Sequence, residues 1–202
     1  MKEKFCEYSY KNRMNKIGKV VNFLNANSVL DIGCRNKNLK NCISKKVRYL
    51  GVDVVKEADV KMNLNKIEKL PFKSKEFDVV VLSQILEHLF YPQKILREAI
   101  RVAKKYLIIG LPNDFAYMLR INYLLGKSYI SFSEFEHKGV MSISNMRSFL
   151  QIKDNKLKIL KKWYNAPLIK IGEKYLFVGL SEILARIYPK LFANEVFFLF
   201  EK

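Results

Sequence analysis

Two acidic residues, each at the end of a short apolar run, are the side chains of this sequence with the clearest chemical meaning. Asp31 follows the run 28–30 and precedes Gly33 by two positions, while Asp53 ends a second run that starts at Arg48. Ligands of open parallel sheets bind outside the carboxyl ends of the strands, and an acidic side chain about 20 residues after the first turn contacts ribose hydroxyls. The pattern therefore predicts a tight turn at Gly33 and a ribose-containing ligand beside Asp53.

The elements that must position these residues alternate along the chain. Short apolar runs predict strands at 28–31, 48–53, 58–62, 77–82, 105–111, 156–164 and 195–200. Apolar residues at helical spacing predict helices at 10–25, 39–46, 91–104, 144–150 and 175–188, with a helix-like apolar stretch at 115–125. A further helix is expected to start near Ser83. Ser83 and Gln84 directly follow the central run 77–82, which places them at the ligand crevice.

Six motifs occur in order within residues 15–113. They are Asp31-x-Gly33, the strand end Asp53, Leu70-Pro71-Phe72, Phe77-Asp78-Val79-Val80-Val81, Leu86-Glu87-His88 and Leu111-Pro112-Asn113. This order resembles the class I S-adenosylmethionine-dependent methyltransferases and, more narrowly, methyltransferases of type 11. The resemblance implies an α/β fold with a Rossmann-like, doubly wound, mostly parallel seven-stranded sheet, an antiparallel final strand and helices on both faces. It also implies that Asp78 organises backbone amides.

The resemblance further implies S-adenosyl-L-methionine as the cofactor and assigns residues to it. The cofactor-binding candidates are Asp31, Gly33, Cys34, Arg35, Asp53, Val54, Asn63, Leu64, Ser83 and His88. Asn63 has two interpretations, because its amide either contacts the amine of adenine or caps the following turn. His88 and His137 are the catalytic candidates, since histidine titrates near neutrality and can accept a proton from a substrate. Each also has a structural alternative: His88 shapes the site, and His137 is solvated in a turn.

The turn after Asp31 departs from the family pattern. Family members carry glycines at the positions of Arg35 and Lys37, and glycine tolerates positive φ and lets a ligand approach the backbone closely. Two alternatives follow. Either the turn is rebuilt and a cation such as Arg35 pairs with the carboxylate of the cofactor, or the site is impaired and the protein is a non-catalytic relic.

Charge is the unusual feature of the composition. The 202 residues include 37 Lys and Arg against 19 Asp and Glu, which gives a formal net charge of +18 at pH 7. Such an excess attracts nucleic acid, anionic membrane surfaces or acidic substrates. The alternative explanation of this excess is compositional bias, with the lysines simply solvated. The spread of the charges along the chain favours that interpretation.

Cysteine and histidine usage narrows the remaining chemistry. Cys6, Cys34 and Cys42 form no CxxC pair, so we expect no disulfide framework and a reducing cytoplasm. Two histidines without metal-ligand spacing predict no metal site. The N-terminus lacks the apolar core of a signal peptide, and no run reaches the ~18 apolar residues of a membrane span. A cytoplasmic protein is therefore expected.

A single methyltransferase domain over residues 1–202 is the simplest organisation. We divide it into an N-terminal helical cap (1–27), the cofactor-binding core (28–113), a substrate lid (114–152), and edge strands with a helix (153–202). The apolar helix 175–188 is expected to pack on the sheet or on the partner of a homodimer, and peripheral membrane contact is its alternative. Both a monomer and a homodimer are compatible with the sequence.

Three functions compete at this point. The resemblance favours methyl transfer to a small-molecule acceptor, such as a saccharide or a lipid-linked metabolite. The positive charge favours an RNA methyltransferase, but the sequence lacks an Asn/Asp-Pro-Pro-Tyr motif and paired catalytic cysteines. Arg35 and Lys37 favour a non-catalytic, methyltransferase-like protein with a degenerate glycine loop. A dinucleotide dehydrogenase ranks lower, because Gly-x-Gly-x-x-Gly is missing.

Overall fold

The computed structural model describes residues 2–126, 142–144, 148, 150, 157–166, 169–171, 174–176 and 178–202. Its strands are β1 Ser28–Ile32, β2 Arg48–Asp53, β3 Val60–Lys61, β4 Phe77–Ser83, β5 Ala103–Pro112, β6 Lys158–Asn165, β7 Ile169–Ile171, β8 Lys174–Leu176 and β9 Glu195–Glu201. Its α-helices are α1 Lys2–Phe23, α2 Pro92–Val102, α3 Tyr117–Leu124, α4 Val178–Ile187 and α5 Pro189–Phe192. Short 3-10 helices span Asn38–Cys42 and Leu86–His88.

Seven of the described strands form one sheet in the order β3-β2-β1-β4-β5-β9-β6. The neighbours from β3 to β5 pair in parallel, and β9 runs antiparallel to both β5 and β6. The chain leaves β1 towards β2 and β3, then returns to the other side of β1 with β4. This reversal opens a crevice at the carboxyl ends of β1 and β4. The predicted fold class is confirmed, including the antiparallel final strand.

Both faces of the sheet are covered, which explains the nearly continuous apolar run of β4. On one face, Leu30 and Ile32 of β1 pack with the apolar stripe of α2. On the other face, Val29 packs with the stripe of α1 and with Leu39. Within β4 the residues from Val79 to Leu82 are 0% exposed, because a central strand of a covered parallel sheet has no solvent side. The strand ends at the crevice are therefore held by a rigid core.

Two polar clamps hold the loops that lie around this core. Asp78 Oδ2 accepts hydrogen bonds from the backbone N–H groups of Asn27 and Ser28, so its predicted role in organising backbone amides is confirmed. Glu98 accepts from the N–H of Leu70, and Arg101 donates to the carbonyl of Leu70 while pairing with Glu98. The hydrogen bond from Arg101 is the main cause that lowers the pKa of Glu98. The Leu70-Pro71-Phe72 motif is thus a turn that α2 fixes.

The helix predicted at 39–46 is wrong in extent. The structure has only the 3-10 helix Asn38–Cys42, and the chain is extended at Ile43. The reason is tertiary: a Cβ added at Gly18 of α1 would lie 2.4 Å from the carbonyl oxygen of Cys42, so the α1 backbone packs directly on this turn. No room is left for a wider helix there.

Two further helix predictions need correction. Ser83 does not start a helix, because it is the last residue of β4 and pairs with Gly110 of β5. Gln84 then has a φ of 56°, which an α-helix does not allow, and only the 3-10 helix Leu86–His88 follows. The helix predicted at 175–188 is shorter, because β8 pairs with β7 and the helical part is α4 Val178–Ile187. Backbone pairing overrides the helical pattern in both places.

The C-terminal half matches its predictions unevenly. The apolar stretch 115–125 contains α3, and β6 and β9 occupy the strands predicted near 156–164 and 195–200. Most of the predicted lid 114–152 lies outside the described residues, as does most of its helix 144–150. In the part of the chain that the structure describes, no helix is both long enough and apolar enough to cross a membrane. The cytoplasmic location stays a prediction.

Candidate cofactor site

The turn after β1 begins at Gly33. Its φ is +80°, and a Cβ at this position would lie 2.7 Å from the side chain of Ile85, which follows β4. The Gly33 N–H donates to the carbonyl of Val52 at 2.8 Å, which ties the turn to β2. Glycine is therefore required here for both its backbone conformation and its lack of a side chain.

Arg35 and Lys37 keep the glycine-type backbone without being glycines. Their φ values are 49° and 56°, in the left-handed region. For an L-residue this conformation costs roughly 1–2 kcal/mol relative to the right-handed one. The two positions where the resemblance implies glycine thus have a glycine-type backbone, and the cost of this conformation must be offset by contacts elsewhere.

Asp53 supplies such contacts. Its Oδ2 accepts from the Arg35 N–H at 2.8 Å, and its Oδ1 accepts from the Val54 N–H at 2.6 Å. Asp53 is half-buried rather than turned out into solvent. An ionised carboxylate has about four acceptor sites, so both oxygens can still accept from hydroxyl groups of a ligand. The carboxylate at the end of β2 and the turn after β1 therefore form one unit.

The side chains of Arg35 and Lys37 lie outside this unit. Lys37 Nζ binds Asp59 Oδ1 at 2.8 Å, and Asp59 Oδ2 accepts from the N–H of Gly51 at 2.8 Å. Burial opposes the effect, but these hydrogen bonds lower the pKa of Asp59 below its ordinary value. Arg35 is exposed. Lys37 is therefore directed to the β2–β3 loop, and neither cation is buried in the crevice.

Asp31 lies behind the turn as a buried acid. It is 4% exposed, and the Tyr49 hydroxyl donates to its Oδ2 at 2.7 Å. Burial raises the pKa of Asp31 to about 7, the Tyr49 hydrogen bond opposes this shift, and the charge of Asp53 adds to it. Asp31 thus carries a partial charge near neutral pH. Tyr49 was not singled out in the sequence, although its strand position, two residues before Gly51, is the available signal.

Cys34 is a packing residue in this structure. It is 2% exposed, and its Sγ lies against Gly51, where an added Cβ would meet it at 2.7 Å. Burial, reinforced by the charge of Asp31, raises the pKa of the Cys34 thiol to about 12. The thiol is therefore neutral and unreactive, and like Cys42 it is free of disulfide bonding.

The end of β4 offers polar atoms that lack partners. Ser83 Oγ and Gln84 Nε2 are buried, and neither has a hydrogen-bond partner in the part of the chain that the structure describes. Leaving a buried polar atom unpaired costs about 1–3 kcal/mol. Together with the open carboxylate of Asp53, these atoms fit a polar ligand in the crevice, because such a ligand would satisfy them.

The remaining predicted site residues lie at the margin of this arrangement. Asn63 is exposed, and its Oδ1 accepts from the Asn65 N–H at 3.0 Å, which is the turn-capping alternative. Leu64 is buried in the core, and Val54 is 46% exposed. His88 is half-buried in the 3-10 helix after β4. His137 lies outside the described residues, and no cluster of three potential metal ligands occurs within them.

The structure therefore brings together two sets of predicted residues. The first set surrounds the turn after β1: Asp31, Gly33, Cys34, Arg35, Asp53 and Val54. The second set lies at the end of the neighbouring strand β4 and comprises Ser83 and His88, with Gln84 directly after Ser83. Because β1 lies directly between β2 and β4, the two sets share one crevice edge.

Comparison with known sequences finds similarity over part of the chain. Residues 30–109 match the family model described as "Methyltransferase domain". An uncharacterized protein of Methanocaldococcus jannaschii is 38% identical over 71 residues, which cover 31% of this chain and 35% of that protein. The alignment thus spans about a third of the curated relative.

Solved structures share the fold over nearly the whole chain. The magnesium protoporphyrin IX methyltransferase of Synechocystis PCC 6803, solved with bound S-adenosylhomocysteine, has a TM-score of 0.65 at 12% identity and covers 100% of this chain and 87% of its own. The small RNA methyltransferase HEN1 has a TM-score of 0.62 at 16% identity and covers 96% of this chain and 25% of its own. Residues 30–109 thus match the model of a methyltransferase domain, and the chain shares the fold of these solved methyltransferases, as the order of motifs predicted.

Proposed function

We propose that this protein transfers a methyl group from S-adenosylmethionine to a small-molecule acceptor. The observation that carries the proposal is the unit formed by Asp53 and the turn after β1. Gly33, Arg35 and Lys37 all have positive φ, and Asp53 accepts from the N–H of Arg35. A degenerate loop would have no reason to keep this strained conformation, so the arrangement argues against the non-catalytic alternative.

The proposed roles follow from the chemistry of each group. Asp53 accepts hydrogen bonds from the ribose hydroxyls, and Gly33 lets the cofactor approach the backbone. Ser83 Oγ and Gln84 Nε2 donate to the polar atoms of the cofactor, which removes their unsatisfied state. S-adenosylmethionine supplies a methyl group on a positively charged sulfur. The protein then has to align the acceptor with that methyl group and exclude water, rather than provide a covalent nucleophile.

Calorimetry with S-adenosylmethionine and S-adenosylhomocysteine tests the proposal directly. We expect binding at micromolar concentrations, and Asp53→Asn should weaken it at least tenfold, because the amide nitrogen cannot accept from a hydroxyl. Glu57→Gln is the matched control, since it removes the same charge from an exposed residue four positions away. Its affinity should equal that of the unmodified protein.

Two outcomes would reject parts of this assignment. Absent or millimolar binding of both compounds would favour the non-catalytic relic. Tight binding that Asp53→Asn and Glu57→Gln leave equally unchanged would retain the cofactor but remove Asp53 from the ribose.

His88 is the described candidate for a general base when the acceptor is a hydroxyl. It lies five residues beyond Ser83, on the 3-10 helix at the same strand end. With a methylated acceptor in hand, His88→Gln is expected to lower kcat by about 100-fold, the contribution typical of a positioned base. The cofactor affinity should stay unchanged. Loss of the acidic limb of the kcat profile would distinguish a base from a residue that only shapes the site.

RNA methylation is the second candidate, and the net charge of +18 favours it. A part of the small RNA methyltransferase HEN1, about 25% of its length, has the same fold. Binding to RNA that disappears at moderate salt would reflect only counterion release from the phosphate backbone. Binding that persists at 0.5 M salt, followed by methyl transfer to RNA, would replace the small-molecule proposal.

A further inference from the structure

We propose that the methyl acceptor is a small anion, bearing a carboxylate or phosphate, that binds in a cation-lined cavity at the carboxyl end of β5. This inference rests on the proposed methyl transfer and names the class of its second substrate. The cofactor assignment around Asp53 does not depend on this inference, because the cavity is formed by a different part of the chain.

The cavity consists of two adjoining hollows of about 190 and 260 Å³. They share Ile143, Ser144 and Lys190 as lining residues. The first hollow reaches Asn113 and Arg120, and the second reaches Lys162 and Tyr164. We call the two together the acceptor cavity. Small-molecule sites have volumes of a few hundred Å³, so a metabolite fits this space and a folded nucleic acid does not.

Three cations and no acidic residue line the acceptor cavity among the described residues. The cations are Arg120, Lys162 and Lys190. None of the three forms an ion pair within the described part of the chain, whereas Arg13, Lys16 and Lys37 each have a carboxylate partner. Cations gathered without a counterion raise the local concentration of anions.

Hydrogen bonds position the walls of the acceptor cavity. Arg120 Nε donates to the carbonyl of Phe115 at 2.7 Å, which orients the guanidinium and leaves other N–H donors for a ligand. Asn113 Nδ2 donates to the carbonyl of Ala193 at 2.7 Å and holds the segment after α5 against the end of β5. Lys190 lies in α5, three residues before Ala193. Arg120 Nη2 and Asn113 Nδ2 also donate to the backbone carbonyl of Lys190, each at 3.4 Å. The guanidinium of Arg120 and the backbone at Lys190 are thus placed by contacts that do not involve a ligand.

The acceptor cavity adjoins the cofactor crevice in the sheet. Ser83, at the end of β4, pairs with Gly110 of β5, and Asn113 lies three residues after Gly110, directly after the end of β5. Both sites therefore lie at the same edge of the sheet, on neighbouring strands. An anion held by Arg120 and Lys190 would extend its remaining atoms along this edge towards Ser83.

An anion titration tests this inference. The protein is saturated with S-adenosylhomocysteine and titrated with sodium phosphate, or separately with sodium acetate, at constant ionic strength, while ¹H–¹⁵N spectra are recorded. We expect shifts at Asn113 and Ser144 with at least one of the two anions, and the preferred anion tells phosphate from carboxylate chemistry. Lys190→Gln and Arg120→Gln should each raise its Kd about three- to tenfold.

Lys45→Gln is the matched control, because Lys45 is exposed and precedes β2 at the opposite edge of the sheet. It should leave the Kd unchanged. Equal Kd values for Lys190→Gln and Lys45→Gln, or shifts that avoid the acceptor cavity, would overturn the inference. So would an RNA oligonucleotide that shifts Asn113 and Ser144 when neither small anion does. Failure of S-adenosylhomocysteine to bind would instead reject the proposed function, and the anion titration can still be read without it.

Discussion

The two ends of the crevice edge carry opposite charges in one strongly basic protein. The cofactor end has Asp31 and Asp53, while the acceptor cavity has Arg120, Lys162 and Lys190. At the cofactor end the acids already accept hydrogen bonds from the chain itself. In the acceptor cavity no described carboxylate pairs with the cations. A cofactor with a sulfonium and an ammonium group suits the first end, and an anionic acceptor suits the second.

This difference teaches that the two sites are organised by different means. Backbone geometry organises the cofactor end, because the turn after β1 and the carboxylate of Asp53 hold one another. Side-chain charge organises the acceptor cavity, because its cations come from α3, β6 and α5. The cofactor end should therefore respond strongly to changes of backbone and burial, and more weakly to changes of surface charge. Four predictions test this, from the largest effect to the smallest.

Gly33→Ala should have the largest effect. The added Cβ would meet Ile85 at 2.7 Å and would force alanine to a φ of +80°. Left-handed strain and overpacking each cost of the order of 1–3 kcal/mol, so we expect the free energy of unfolding to fall by about 3–4 kcal/mol in urea titrations. The double variant Gly33→Ala/Ile85→Ala separates the two causes. Its second substitution should not restore the turn, because the φ strain remains.

Asp31 should make stability depend on pH. Its pKa rises from 3.8 in the unfolded chain to about 7 in the folded protein, so the folded state keeps a proton that the unfolded state loses. The resulting stability is complete below pH 4 and disappears as the pH rises to about 7. Without cofactor, unfolding at pH 4 and pH 7 should show a loss of about 3 kcal/mol relative to Asp31→Asn. A constant difference between the two proteins would show that burial does not shift this pKa.

Arg35→Gly should stabilise the protein, because glycine adopts a φ of 49° without strain. The expected gain in the free energy of unfolding is about 1 kcal/mol, after the extra chain entropy of glycine is subtracted. Arg35→Ala is the control, since it removes the same charge but keeps the strain. If both variants gain equally, charge rather than backbone conformation is the relevant property of Arg35.

Lys37→Met should have the smallest effect. The ion pair with Asp59 is about one-quarter to one-third exposed, and such pairs contribute about 0.5 kcal/mol or less. The loss should vanish in 1 M NaCl, where exposed charges are screened. Lys94→Met is the matched control, because its partner Glu68 is 93% exposed, and no change is expected. A loss from Lys37→Met above 2 kcal/mol would mean that this pair supports the turn itself.

Local patterns predicted most of the core and only part of its connections. β2 matches its predicted bounds, and β4 exceeds its prediction by one residue, because apolar runs in a covered sheet are read directly from the sequence. The helices at 39–46 and at Ser83 failed for a common reason. Contacts with α1 and β5, which are distant in the sequence, decide the backbone there. The partners Tyr49, Ile85 and Asp59 were missed for the same reason.

The sequence by itself determined the motif order, the strand ends that carry Asp31 and Asp53, and the need for glycine at position 33. These features depend on residues that are neighbours or recur at a regular spacing. Only the tertiary structure decided that Arg35 and Lys37 keep the backbone of glycine, since the Asp53 carboxylate that accepts from the Arg35 N–H comes from another strand. It also decided that Arg120, Lys162 and Lys190 meet around one cavity, because burial and strand order, rather than local pattern, bring such distant residues together.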